Sequence, residues 1–303
     1  MNDRSSSLGR QLLRAPVALA ALLLLLALVT ASLAAQWLAP QNPYDPASYD
    51  IMDAQIPPLW LTGGDPRFLL GSDGQGRDIL SIILHGSRIS LLIGLGAVAV
   101  QALLGIVIGL CAGYGSRWLD DLLMRLADVQ MSISTLMIAL VALALAQSLL
   151  PAEHYQHHVP LLLILVIGLA EWPQYARTLR AAVLAEKQLA YVEAARLLGF
   201  SQRRILLRHL LPNTLSPLLV ISTVQVASAI MSEAALSFLG LGMPITRPSL
   251  GALINSGFEL LLSGAWWISI IPGLTLVLLI LCINLLGDWL RDALDPRHGG
   301  HAP

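Results

Sequence analysis

The feature that most constrains this chain is the spacing of its charges, which leaves six stretches long enough and apolar enough to lie inside a bilayer. A helix that crosses the hydrocarbon needs about 20 mostly apolar residues. Runs of that kind lie between Arg14 and Asp45, between Arg88 and Arg117, between Asp128 and Glu153, from Val159 to Ala176, from Asn213 to Gly240, and between Glu259 and Asp288. The fourth contains Glu171 and the fifth Glu233. Only 12% of the 303 residues are charged while 56% are hydrophobic, against about 25% charged in an ordinary soluble domain. The expectation is an all-α integral membrane protein with six transmembrane helices.

Orientation follows from the cations. If both termini lie in the cytoplasm, the inner segments hold 14 of the 18 Lys and Arg, and the outer segments hold Arg67, Arg77, Arg88 and Arg247. This satisfies the tendency of cytoplasmic loops to retain positive charge. The first run, Pro16 to Ala35, exceeds the roughly 7 to 15 residues of a secretory signal core and is read as a retained helix. A net charge of -1 with dispersed cations argues against a nucleic-acid partner. Cys111 and Cys282 both fall inside apolar runs and imply no disulfide framework.

The expected organisation is an N-tail and first helix (1–38), an external cap (39–85), and a core of five helices (86–303) carrying a cytoplasmic loop at 177–212. The cap holds six prolines, five glycines and the acids Asp45, Asp50, Asp53, Asp65, Asp73 and Asp78, a composition that favours turns. Asp78 is placed to cap the helix leading to Arg88.

The loop is the most informative segment. Arg177, Arg180, Lys187, Arg196, Arg203, Arg204 and Arg208 stand against Glu186 and Glu193. Leu189, Val192, Ala195 and Leu198 form an apolar line at helical spacing. Gly199 suits a left-handed helix stop with Phe200 as its apolar companion, and Ser201 suits the cap of a second short helix. Glu193-Ala194-Ala195, Gly199 and Leu211-Pro212 together resemble the coupling loop of ABC importer permeases. Two further stretches resemble the peptide and nickel branch of that family, in its C-type subunit. These are Leu70 to Asp78 with Gly86-Ser87-Arg88-Ile89-Ser90-Leu91, and Gly287 to Pro296.

The resemblance implies a type I ABC importer permease fold in a bacterial inner membrane. It implies an importer of di- or oligopeptides, with nickel chelates, glutathione or another peptide-like solute as alternatives. The coupling residues would be Glu193, Ala194, Ala195, Gly199, Arg203, Leu211 and Pro212. The partners would be a B-type permease, two P-loop ATPases holding ATP and Mg, a periplasmic binding protein, the peptide and membrane lipid. His209 stands where the broader family often has Ile. The chain itself is expected to bind no cofactor and to catalyse nothing, since its one lysine, Lys187, lies in no glycine-rich phosphate loop. An ion-coupled secondary transporter is the rival reading, but it normally shows more intramembrane carboxylates and inverted repeats.

Ionisable groups inside spans mark candidate sites, because burying charge in lipid is costly. Glu171 is expected to pair with Arg177 or Tyr175, and Asp128 with Arg125. Glu233, the deepest, suits either the pathway or a bond between helices. His154, His157 and His158 beside Glu153 are read as water-facing residues of an external connection, and no metal is assigned. Gly105, Gly109 and Gly113, spaced by four, predict close helix packing within the chain or against a partner. Pro217 and Pro272 are read as kinks or first-turn prolines.

Overall fold

A computed structural model describes residues 9–244 and 246–294. Arg4, Asp295 and Pro296 lie outside the described residues, as do the side chains of Arg196, Arg203, Leu207 and Ser216. The long helices are α1 (Pro16–Leu33), α2 (Ile79–Tyr114), α3 (Arg117–Ser132), α4 (Thr135–Leu149) and α5 (Ala152–Glu186). Short helices α6 (Ala190–Leu197) and α7 (Gln202–Ile205) and a π-helical turn (Leu206–Leu210) precede α8 (Leu211–Phe238), α9 (Leu250–Phe258) and α10 (Trp267–Leu294). Five helices are long and apolar enough to cross a membrane, and α3 with α4 makes a sixth if the bent pair is one span.

The third run is therefore not a simple span. Its axis bends by 82° between α3 and α4. Ile133 and Ser134 are extended there, and the Ser132 hydroxyl turns back to donate to Val129 O at 2.7 Å. Serines offer the backbone a rival to helical bonding. The stronger cause is that α3 carries Asp120, Asp121, Arg125 and Asp128 on one amphipathic helix, which cannot follow the apolar α4 into lipid. Arg180 on α5 holds α3 through Asp120, with Nε to Oδ1 at 2.5 Å and Nη2 to Oδ2 at 2.7 Å. Arg177, and not Arg125, is the partner of Asp128. The two arginines reach across from α5, a pairing 49 and 60 residues apart in sequence.

At 36 residues, α2 is about 54 Å long and packs along most of α5. Gly105 lies against Tyr175 and Ala176, Gly109 against Ala176 and Leu179, and Gly113 against Val183. The glycine stripe thus serves the bundle of this chain. In lipid, where apolar contact gains nothing over lipid tails, such close approach supplies dispersion that larger residues would forbid. Ile93, Ala97, Leu143, Leu163, Ile167 and Leu179 fill the core between α2, α4 and α5. A second core joins the start of α2 to α8, α9 and α10 through Ile79, Ile82, Ile230, Leu250, Trp267 and Leu279. Pro217 and Pro272 both lie inside helices, as do Pro160 and Pro173 of α5, so none is a first-turn proline.

The cap between α1 and α2 is made of turns tied to the helices beneath it. Ser72 accepts from the Ile56 amide at 2.8 Å and donates to Asp53 O at 2.5 Å. The Trp267 indole donates to Ser72 O at 3.3 Å. Asp73 collects the amides of Gln75 and Arg77 at 2.8 and 2.9 Å, and its other oxygen accepts the buried Arg77 guanidinium at 2.6 Å. The Gln41 amide donates to Ser81 Oγ, while its side-chain oxygen accepts the Asp78 amide at 2.9 Å.

Asp78 caps α2 through Oδ2, which accepts the Ser81 amide at 2.7 Å and the Ser81 hydroxyl at 2.6 Å. Its Oδ1 is the one buried side-chain oxygen or nitrogen among the described residues without a hydrogen-bond partner. Burial pushes the Asp78 pKa up, against the hydrogen bonds of Ser81 and the Leu80 amide. A carboxyl whose folded pKa is raised contributes stability below its unfolded pKa and loses it as pH rises through the folded value. Asp78→Asn keeps the cap and removes this loss, so amide exchange at the start of α2 is expected to become less sensitive to pH in the acid range. Asp78→Ala is expected to cost about 1 kcal/mol by removing the cap. Exchange in the variants over that pH range measures both effects.

Candidate functional site

The long helix α5 continues to Glu186, so Arg177 and Arg180 belong to it and the loop proper starts at Lys187. The α6 helix ends at Leu197 and is followed at Gly199 by a φ of +74°. The Phe200 amide donates to Ala195 O at 3.1 Å, the six-to-one bond of a left-handed helix stop. Ser201 Oγ then accepts the Arg204 amide at 3.4 Å to start α7. These are the two short helices and the break that the sequence predicts.

Val192, Ala195, Ile205 and Leu210 are buried together between the two helices. Ala195 therefore serves the loop's own core, while Glu193 and Ala194 are exposed. The predicted apolar line divides in the same way: Val192 and Ala195 turn inward, but Leu189 and Leu198 do not. Leu197 and Leu198, 87% and 72% exposed, make an uncovered apolar tip beside Gly199. Leu211 and Pro212 form the first turn of α8. His209 stacks on Phe200 with ring centres 6.0 Å apart and planes 12° from parallel, and the Arg204 guanidinium sits 4.4 Å from the same ring's centre. An aromatic imidazole thus finds a flat partner at this position.

The loop's base is braced by contacts that sequence reasoning did not draw together. Glu186 Oε1, at the end of α5, accepts the Tyr191 hydroxyl at 2.6 Å and the Asn213 amide nitrogen at 3.2 Å. Asn213 also donates to the Tyr191 hydroxyl oxygen at 3.1 Å. Burial, and then the Glu186 carboxylate, raise the Tyr191 pKa, so the phenol remains a donor. Lys187 lies 5.4 Å from the Tyr114 ring centre and donates to Gly113 O at 3.4 Å. Glu186 and Asn213 are 27 residues apart, and no periodicity links them. Their one sequence signal is position, since each stands at the junction of the polar loop with an apolar helix.

Within the bundle, Glu233 is fully buried and accepts from Ser90 Oγ and Ser237 Oγ, both at 2.7 Å. It joins α2 to α8 through the Ser90 bond. Glu171 does not pair with Arg177 or Tyr175: it accepts from Gln101 and Gln225, each at 3.3 Å. Arg177 is engaged by Asp128, and Tyr175 donates to Ser222 Oγ at 2.9 Å. The histidines are helical rather than in a connection, occupying the first turns of α5. His157 and His158 rings meet edge to face at 5.0 Å. Among the described residues, no group of three or more His, Cys, Asp or Glu is placed to hold a metal ion.

The described helices thus form a multi-pass bundle of five or six candidate spans with a braced loop between α5 and α8. Residues 105–299 match the family described as the inner membrane component of binding-protein-dependent transport systems, and the chain belongs to that family. Residues 7–58 match the N-terminal transmembrane domain of oligopeptide transport permease C. The chain is 41% identical to a di/tripeptide transport system permease protein of Pseudomonas aeruginosa, over 92% of this chain and 88% of that one. It is 35% identical to a glutathione transport system permease protein of Pectobacterium atrosepticum, over 95% and 89%. A chain of the inward-facing methionine ABC transporter MetNI aligns with TM-score 0.57 at 17% identity, covering 71% of this chain and 97% of that one. That likeness gives the fold: the type I importer permease bundle. The chain is an inner-membrane permease.

Proposed function

We propose that this chain is the C-type permease of an ATP-driven importer for di- or oligopeptides. It forms the passage with a B-type permease, takes peptide from a periplasmic binding protein, and is moved by two ATPase subunits that hold ATP and Mg. The peptide assignment draws on the di/tripeptide relative, which is more similar than the glutathione one. The observation that carries the mechanism is the loop: an internally packed helical pair with an uncovered apolar tip at Leu197 and Leu198 and a base tied to both α5 and α8. Glu193, Ala194 and Gly199 face outward, where an ATPase surface would seat. Ala195 packs in the loop's own core, Leu211 and Pro212 open α8, and Arg203 adds a cation to the same segment. ATPase closure would swing the loop and, with it, the two helices rooted in it, opening the passage outward. Hydrolysis would reverse the swing.

Gly199 provides the test. Nothing lies within 4 Å of the position a side chain would occupy there, so a substitution acts through the backbone alone. A left-handed L-residue costs about 1–2 kcal/mol, which corresponds to roughly tenfold in the population of the native stop. Gly199→Val is expected to reduce dipeptide uptake by about that factor with normal membrane levels, and Gly199→Asn, which tolerates this conformation, to retain more. Undiminished uptake in the valine variant removes the loop from the mechanism.

A further inference from the structure

A second site lies at the opposite end of the molecule, in a crevice of about 330 Å³ between the outer end of α1 and the start of α2. Its polar lining is Gln36, Gln41, Asn42, Tyr44, His85 and Arg88, and it includes no carboxylate. Arg88 is exposed and forms no ion pair with a described residue. The Tyr44 ring meets the buried His85 ring edge to face at 5.1 Å, and His85 Nδ1 is 3.0 Å from Ser81 O. The wall of the crevice is thus built on the same Gln41, Ser81 and Asp78 contacts that hold the cap to α2. Burial pushes the Tyr44 phenol up to about 12, while Arg88 and Arg247 act in the other direction. The hydroxyl therefore stays protonated beside two cations.

The crevice also has a defined height. Arg88 closes the outer end of an uncharged run that covers the rest of α2 and continues to Ser116. A helix of 36 residues is about 54 Å long against about 30 Å of hydrocarbon, so the first turns of α2 rise into the headgroup layer. Trp37, 84% exposed beside Gln36, suits the same layer, where indole rings concentrate. Positive charge, several neutral donors and the small apolar side chains of Ala35 and Ala39 in the lining fit a phosphodiester whose acyl chains would continue along α1.

We infer that this crevice binds the phosphate of an outer-leaflet phospholipid, with Arg88 as the charged contact and Gln41, Asn42 and Tyr44 as neutral partners. Bound there, the lipid would fill the gap between α1 and the cap. The test uses the full permease complex, purified in detergent with phosphatidylglycerol and analysed by native mass spectrometry. The wild type is expected to retain lipid through delipidation. Arg88→Gln should retain it about tenfold less well, the usual scale for losing one charge-assisted contact, and Arg88→Lys should restore most of the retention. Tyr44→Phe, which removes one hydroxyl, should weaken retention to a smaller degree, and it serves if Arg88→Gln does not fold. Equal retention in wild type and Arg88→Gln overturns the site. Displacement of the lipid by millimolar inorganic phosphate overturns the lipid as its occupant. Loss of binding-protein docking in Arg88→Gln with lipid retention unchanged assigns Arg88 to a protein contact and overturns it as well.

Discussion

Gly105→Leu is expected to yield almost no folded permease. A first side-chain carbon at position 105 would overlap the Tyr175 Cβ and stand 3.0 Å from Ala176 N and 3.1 Å from Trp172 O. Two of these neighbours are backbone atoms, and Tyr175 is itself fixed, being fully buried and hydrogen-bonded through its hydroxyl to Ser222. No rotamer change clears the space, so α2 and α5 must separate. Overpacking a tight core costs about 1–3 kcal/mol where side chains give way, and the cost at a backbone contact belongs at or above the upper end. Gly105→Ala should show the same effect at smaller size. Detergent-solubilised yield and elution as a single species measure both, and a well-folded leucine variant would mean that the two helices are not packed as described.

Asp73→Ala should release the cap while leaving the bundle assembled. Asp73 and Arg77 are 2% and 3% exposed, and one carboxylate serves two amides and the guanidinium. Removing one partner of a buried pair costs about 3–5 kcal/mol, because the other charge stays desolvated. Asp73→Asn retains the acceptor for the amides and should lose less. The contrast is the Arg67 cluster with Asp53 and Asp65. There the arginine is largely exposed, and exposed pairs contribute little. Limited proteolysis between residues 39 and 78 distinguishes these cases: rapid cleavage in Asp73→Ala, and near-normal resistance in Arg67→Ala.

What was legible in the sequence was what depends on neighbours along the chain. Apolar run length located α1, α2, α5, α8 and α10, Gly199 and Phe200 signalled the helix stop, and Asp78 signalled its own cap. Glycines at a spacing of four announced a close helix contact without naming the partner. The misreadings concern partners distant in sequence. Proximity along the chain points Glu171 to Arg177 or Tyr175, yet α3 brings Asp128 to that arginine, Tyr175 bonds Ser222, and α2 and α8 bring two glutamines to Glu171. The α3 and α4 bend was hidden because counting uncharged residues takes no account of direction. The histidines at 154, 157 and 158 read as a loop because polar residues flank the apolar run, although the helix simply continues beyond the hydrocarbon.

The single oxygen of Glu186 that receives both Tyr191 and Asn213 has a mechanical consequence. Both feet of the loop meet at that atom, so under the proposed coupling a thrust at the tip reaches α5 and α8 together. Glu186→Ala would remove the shared anchor and is expected to weaken that transmission.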